Sequence, residues 1–312
     1  MTMNEKTAIK TNLNGIVNVN KPLGITSHDV VYRLRKILNI KKIGHTGTLD
    51  PDASGVLPMC VGRATKTADM LTASDKQYIA EVTMGTATDT LDASGTVTDT
   101  ADVNVTEADI KKVLSEFIGN IKQIPPMYSA IKIDGKRLYT LARDGVEVER
   151  EPRDVHIEKI ELIKYMSSDN KFVIKVDCSK GTYIRTLCDD VGRKLGCFAH
   201  MSALERTRSG RFGIEDAYTL DEIGEMAEKG DFSFLTPIDK VFEEFPKLII
   251  SNRKAKIMCN GTRISTQGTD EGITYRVYDE AGNFLTISRA EGGVLVILKT
   301  FYQSIENGGA DK

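Results

Sequence analysis

The chain has 312 residues, of which 40% are hydrophobic and 28% charged, with a formal charge of −2. That length accommodates one large domain and a small one, the composition is that of an ordinary globular protein, and the net charge gives no bulk signal for nucleic acid. The polar start, Met1 to Asn14, has no signal-peptide core, and apolar runs such as Val294 to Leu298 are too short to span a bilayer, so a cytoplasmic location is expected.

In chain order, Asn14 to Asn20 alternates Ile16, Val17 and Val19 with asparagine and predicts a short strand, followed by a turn at Lys21 to Gly24. Thr26 or Ser27 then caps a helix whose buried stripe is Val30, Val31, Leu34, Ile37 and Leu38. The run from Gly44 to Pro58 has no helical or strand period and reads as an irregular loop. Within it Pro51 biases Asp50 toward extended backbone, and Gly44, Gly47 and Gly55 permit turns. A stiff loop presenting His45 and Asp50 is a plausible active site; equally, Asp50-Pro51 can be no more than a turn.

Thr65 to Leu71 predicts a short helix, and Gln77 to Met84 a strand with Tyr78, Ala80, Val82 and Met84 on one face. Ala87 to Gly95 is a polar turn; its two aspartates lack the ligand spacing of a calcium loop. Thr106-x-x-Asp109 resembles a capping box opening a helix with Ile110, Val113, Leu114, Phe117 and Ile118 inward, ended by Gly119. From Ile124 to Arg143 the Asp134-Gly135 pair suggests a tight basic hairpin with Tyr128 and Tyr139. It could cover a nucleic acid or be a plain surface excursion. Strands are expected at Asp154 to Leu162 and Lys171 to Cys178. A helix follows with Ile184, Cys188, Val191 and Leu195 inward and Gly196 as its stop, and another is capped by Thr219-x-x-Glu222. After Pro246, a short helix from Asn252 to Asn260 and strands at Tyr275 to Tyr278, Phe284 to Ser288 and Gly293 to Phe301 suggest a separate small β-rich domain.

Five cysteines form no C-x-x-C pair, so reduced thiols are expected, and four dispersed histidines outline no metal site. Charge is unevenly spread. Val30 to Leu49 holds five basic residues and no acid, Ile118 to Arg143 five against Asp134, and Lys180 to Arg211 seven against three acids, whereas Gly213 to Pro246 holds ten acids and two lysines. Such basic segments either converge on a phosphate-binding face or remain separate solvated surfaces.

Six segments then occur in a telling order: Asn20-Lys-Pro-Leu-Gly-Ile-Thr-Ser27, Gly44-His-Thr-Gly-Thr-Leu-Asp-Pro51, Gly62-Arg-Ala-Thr-Lys66, Lys76-Gln-Tyr78, Ile124-Pro-Pro-Met-Tyr-Ser-Ala130 and Ser179-Lys-Gly-Thr-Tyr-Ile-Arg-Thr186. Together they resemble the TruB family of bacterial tRNA pseudouridine-55 synthases, over about residues 14 to 211, with a PUA-like remainder. The resemblance implies an α+β pseudouridine synthase core, a mixed, largely antiparallel sheet flanked by helices, over residues 1–245. It implies a thumb-like hairpin at 124–143, a PUA-like RNA-binding domain over 246–304 and a tail at 305–312. Asp50 matches the essential aspartate, Arg185 the arginine paired with it, and Tyr78 the active-site tyrosine. His45, Tyr183, Leu204 and Lys21 match positions that bind or support the substrate uridine. The implied substrate is tRNA, held through its TΨC stem-loop and acceptor region. No cofactor is implied, because the isomerisation is neither a redox reaction nor a hydrolysis, and no obligate protein partner is expected.

Overall fold

The computed structural model describes residues 13–129, 131–133, 135–265 and 268–302. The expected tail at 305–312, Asp134 of the predicted hairpin turn and most of the polar start lie outside these residues.

A ten-stranded sheet forms the body. In spatial order its main path runs Leu235–Thr236, Gly15–Lys21, Ala53–Val61, Ala199–Ser209, Lys76–Met84, Lys171–Cys178, Arg153–Met166 and Gly119–Gln123. Every neighbouring pair is antiparallel except Ala53–Val61 with Ala199–Ser209. The sheet is therefore mixed and largely antiparallel, as the resemblance implies. Helices Ser27–Leu38, Glu107–Ser115 and Leu220–Glu228 each begin with a reciprocal capping box, at Thr26/Asp29, Thr106/Asp109 and Thr219/Glu222, each worth about 0.5–2 kcal/mol.

Two apolar clusters divide the body. One joins helices Glu107–Ser115 and Ile184–Leu195 to strands Lys76–Met84 and Lys171–Cys178. The other joins helices Ser27–Leu38 and Leu220–Glu228 to strands Gly15–Lys21 and Ala53–Val61. Tyr78 and Leu204 pack against both, which puts them at the seam where the parallel pair interrupts the antiparallel order.

Several expectations need correction. The run from Gly44 to Pro58 is irregular only from Thr46 to Asp52, because Ala53–Val61 is a nine-residue strand. That strand is buried on both faces, so its sequence shows no alternation. Gly55 within it has φ of +101°, and a Cβ there would lie 2.3 Å from the Arg206 carbonyl oxygen. Gly55→Ala is expected to cost about 2–4 kcal/mol from backbone strain and overpacking together, measured as a lower denaturation midpoint. The central strand Ala199–Ser209 was not expected at all; its charges, among them Arg206 at 2% exposure, hide its strand character. Ile118 lies beyond the end of its helix and is exposed. Within 124–143 the expected hairpin is seen, among the described residues, as a two-residue ladder, Lys132–Ile133 with Lys136–Arg137, and a helix, Leu138–Arg143, follows it.

The C-terminal strands form their own five-stranded sheet, Lys247–Ile249, Thr274–Tyr278, Phe284–Glu291, Val294–Thr300 and Ile264–Ser265 in spatial order. It seats on the body through a shared apolar cluster in which Phe284, Ile287 and Phe301 meet Ile16, Val56 and Leu71. Polar contacts fix the seat. Arg63 donates to the Phe301 carbonyl at 2.6 Å and Lys66 to that of Thr300 at 2.9 Å, while Lys299 pairs with Asp69 at 2.7 Å. The two basic residues of Gly62-Arg-Ala-Thr-Lys66 thus anchor the second sheet.

Candidate active site

A cleft of about 950 Å³ opens at the seam. Asp50, Tyr78, Arg185, His45, Tyr183 and Leu204 all line it. They arrive from five places: the end of strand Ile43–His45, the loop after it, strand Lys76–Met84, the start of helix Ile184–Leu195, and strand Ala199–Ser209. Register explains the convergence. Leu204 sits opposite Ala53 on one side and Ala80 on the other, so the loop ending at Ala53 is delivered beside Tyr78.

The Arg185 guanidinium organises the floor. Its side chain is 8% exposed, and it bonds Asp50 Oδ2 at 3.1 Å and Asp92 Oδ2 at 3.3 Å. It also donates to the carbonyls of Thr90 at 3.2 Å and Tyr128 at 2.8 Å. One planar fork therefore ties together the Asp50 loop, the 86–100 hairpin and the 124–143 segment, a role suited to a guanidinium and poorly matched by an ammonium. The helix start that holds Arg185 is clamped by buried Gln123, whose amide accepts from the Tyr183 N–H at 3.0 Å and donates to its carbonyl at 3.3 Å.

Burial pushes the Asp50 carboxyl above the usual carboxylate range. Arg185 pulls it back, Asp92 and Asp52 add to the rise, and Lys21 opposes it. The side chain is still 43% exposed through the cleft mouth, so water tempers the effect. Burial also raises Tyr78, against the pull of Arg206, and lowers His45, which Arg206 and His28 lower further. Burial likewise raises Tyr183. The shift at His45 favours the neutral imidazole, and its buried Nδ1 has no partner among the described residues.

Lys21, expected to support the site, stands behind the cleft wall. It is fully buried and does not line the cleft. Its ammonium donates to the carbonyls of Pro22, Ile25 and Pro51 at 2.8, 2.7 and 3.3 Å, which pins the backbone next to Asp50. Burial lowers it to about 8.

Sequence reasoning missed Asp92, Gln123 and Arg206. A signal for Asp92 was present: Thr-Leu-Asp occurs at 48–50 and again at 90–92, and both carboxylates end on Arg185. Most of the basic stretch from Lys180 to Arg211 is internal or ion-paired. Arg185 and Arg206 are internal, and Arg193, Lys194, Arg208 and Arg211 pair with Asp189, Glu116, Asp177 and Glu243. Lys180 stays exposed beside the cleft, as does Arg153.

Comparison with known proteins gives the class. The model described as "TruB family pseudouridylate synthase (N terminal domain)" matches residues 35–184, and the "tRNA pseudouridylate synthase B C-terminal domain" matches 185–243. The fold is that of a pseudouridylate synthase. A Bacillus subtilis protein named tRNA pseudouridine synthase B is 45% identical, covering 94% of this chain and 99% of its own. One of the same name from Listeria monocytogenes is 48% identical over 81% and 85%. Among solved structures, a chain in a Cbf5-Nop10-Gar1 complex superposes with a TM-score of 0.71 at 28% identity, covering 95% of this chain and 87% of that one. A chain of an H/ACA RNP bound to a substrate RNA gives 0.70 at 26%, covering 97% and 88%. The chain belongs to the TruB family.

Proposed function

We propose that the protein converts uridine 55 in the TΨC loop of tRNA to pseudouridine. The observation that carries this reading is the Asp50 carboxylate held against Arg185 on the floor of a cleft, in a chain of the TruB family. The N1–C1′ bond breaks, the uracil turns, C5 bonds to C1′, and the C5 proton is lost as N1 gains one. Atoms and electrons balance within the nucleotide. Asp50, ionised and oriented by Arg185, supplies the carboxylate that adds to or stabilises the electrophilic centre. Tyr78 offers a ring face for the base and a hydroxyl for proton movement, Leu204 and Tyr183 shape the pocket, and Lys21 holds the loop.

A uridine in a folded RNA loop must be extruded, at a few kcal/mol of lost stacking. His45, which lines the same cleft as Asp50, fills part of the vacated space. Arg153 and Lys180 at the rim meet phosphates, the 124–143 segment closes over the loop as a thumb, and the C-terminal sheet, the RNA-binding domain from 246 onward, meets the acceptor region. The protein acts in the cytoplasm, where its tRNA is.

The test is incubation of the purified chain with a tRNA transcript and no second RNA or protein. Pseudouridine accumulates and free uracil does not. A requirement for a guide RNA would point instead to the ribonucleoprotein class of the solved neighbours, and free uracil to a hydrolase.

The raised Asp50 carboxyl sets the acid limb of the rate. Only the ionised form works, so activity falls as pH drops through a value above that of an ordinary aspartate. The expected profile of single-turnover rate against pH loses activity earlier on acidification than a carboxylate at its usual value would dictate.

A further inference from the structure

Arg206 heads the large, fully buried side chains among the described residues, and it has no part in the chemistry proposed for Asp50 and Tyr78. It comes from the middle of the central strand Ala199–Ser209 and lines the cleft from beneath. No carboxylate pairs with it among the described residues, in contrast to Arg185 and Arg208. A cation in that setting is held only by its hydrogen bonds. Its Nε donates to the Val56 carbonyl at 2.7 Å and its Nη2 reaches that of Gly47 at 3.4 Å. These two carbonyls bracket Asp50 on either side. Its backbone lies against Gly55, which must be glycine for the strands to approach. Across the antiparallel ladder its direct partner is Tyr78, so the two side chains stand on the same face of the sheet, and both line the cleft.

A guanidinium has donors and no acceptor, whereas a hydroxyl has one proton and two lone pairs. A hydrogen bond between the two can run only from the guanidinium to the Tyr78 oxygen, which turns the phenol proton toward the cleft. We propose that Arg206 is a positioning residue for the reaction, clamping both ends of the Asp50 loop and orienting the Tyr78 hydroxyl as a donor toward the bound base. This inference rests on the catalytic reading of Asp50 and Tyr78. It explains why a charge without a counterion is kept in the middle of the sheet.

Arg206→Gln and Arg206→Lys test it, each alone and combined with Tyr78→Phe, with single-turnover rates followed over hours so that slow variants are still read. In the Tyr78 background the glutamine variant is expected to lose about 100-fold or more in rate, and the lysine variant about 10-fold. The affinity for tRNA stays within about threefold, because the defect lies in alignment. In the Tyr78→Phe background the penalty of Arg206→Gln shrinks to about that of the loop clamp alone, roughly 10-fold or less. Equal penalties in both backgrounds, a loss seen only in tRNA affinity, or a glutamine variant with the parent rate would overturn the proposal. If Arg206→Gln does not fold, the lysine pair is read by the same criterion. Full activity of Asp50→Asn and Tyr78→Phe would instead overturn the underlying catalytic reading, which separates the two failures.

Discussion

Asp50→Asn is expected to lower the single-turnover rate of pseudouridine formation by at least about 10^4-fold while leaving tRNA affinity within a few-fold of the parent protein. An amide of the same size keeps the loop geometry but cannot supply the carboxylate, and loss of the reacting group costs more than loss of any one supporting contact. The substitution should not cost stability. A carboxylate whose folded value is raised destabilises the folded state above that value, and the penalty is absent below the unfolded value, where both states carry the proton. The substituted amide carries no charge to desolvate, and Arg185 retains Asp92, Thr90 and Tyr128. Denaturation midpoints should therefore match or exceed those of the parent. A binding defect as large as the rate defect would move Asp50 from chemistry to recognition.

Arg185→Met has the second largest expected effect, a loss of about 10^2–10^3-fold in rate with a cost in stability of about 3–5 kcal/mol. Without the guanidinium, Asp50 and Asp92 face each other with no cation between them, and three segments lose their common tie. The strongest influence holding Asp50 down disappears, so its carboxyl rises further and the acid limb of the rate moves toward neutral pH. Arg185→Lys should recover stability better than rate, since an ammonium restores charge but not the planar fork. Denaturant unfolding and rate–pH profiles of the two variants check both parts. An acid limb unmoved in Arg185→Met would show that Asp50 does not depend on this pair.

The legible parts of the chain were those with local signals. Thr26, Thr106 and Thr219 announce helices because a capping box is a four-residue event. Lys76–Met84 and Lys171–Cys178 alternate because each has one face on the core. Ala53–Val61 and Ala199–Ser209 were not legible, the first buried on both faces and the second carrying its functional charge inside the sheet. Both run through the centre of the fold, where neighbours rather than local propensity decide. The motifs brought Asp50, Tyr78, Arg185, His45, Tyr183 and Leu204 to notice, and the structure gathers these six around one cleft. Lys21 took its place behind that wall. Asp92 and Arg206 stayed hidden because a carboxylate in a polar turn and an arginine in a basic stretch look like surface until the partners 93 residues away, or across a strand, are known.

The most direct test of the central claim is mass-spectrometric mapping of pseudouridine along a tRNA transcript treated with the parent protein and, in parallel, with Asp50→Asn. The expected result is one modified position, the TΨC-loop uridine, with the parent protein and none with the variant. Modification by Asp50→Asn at the parent level, or a parent protein that leaves that uridine unchanged, would contradict it.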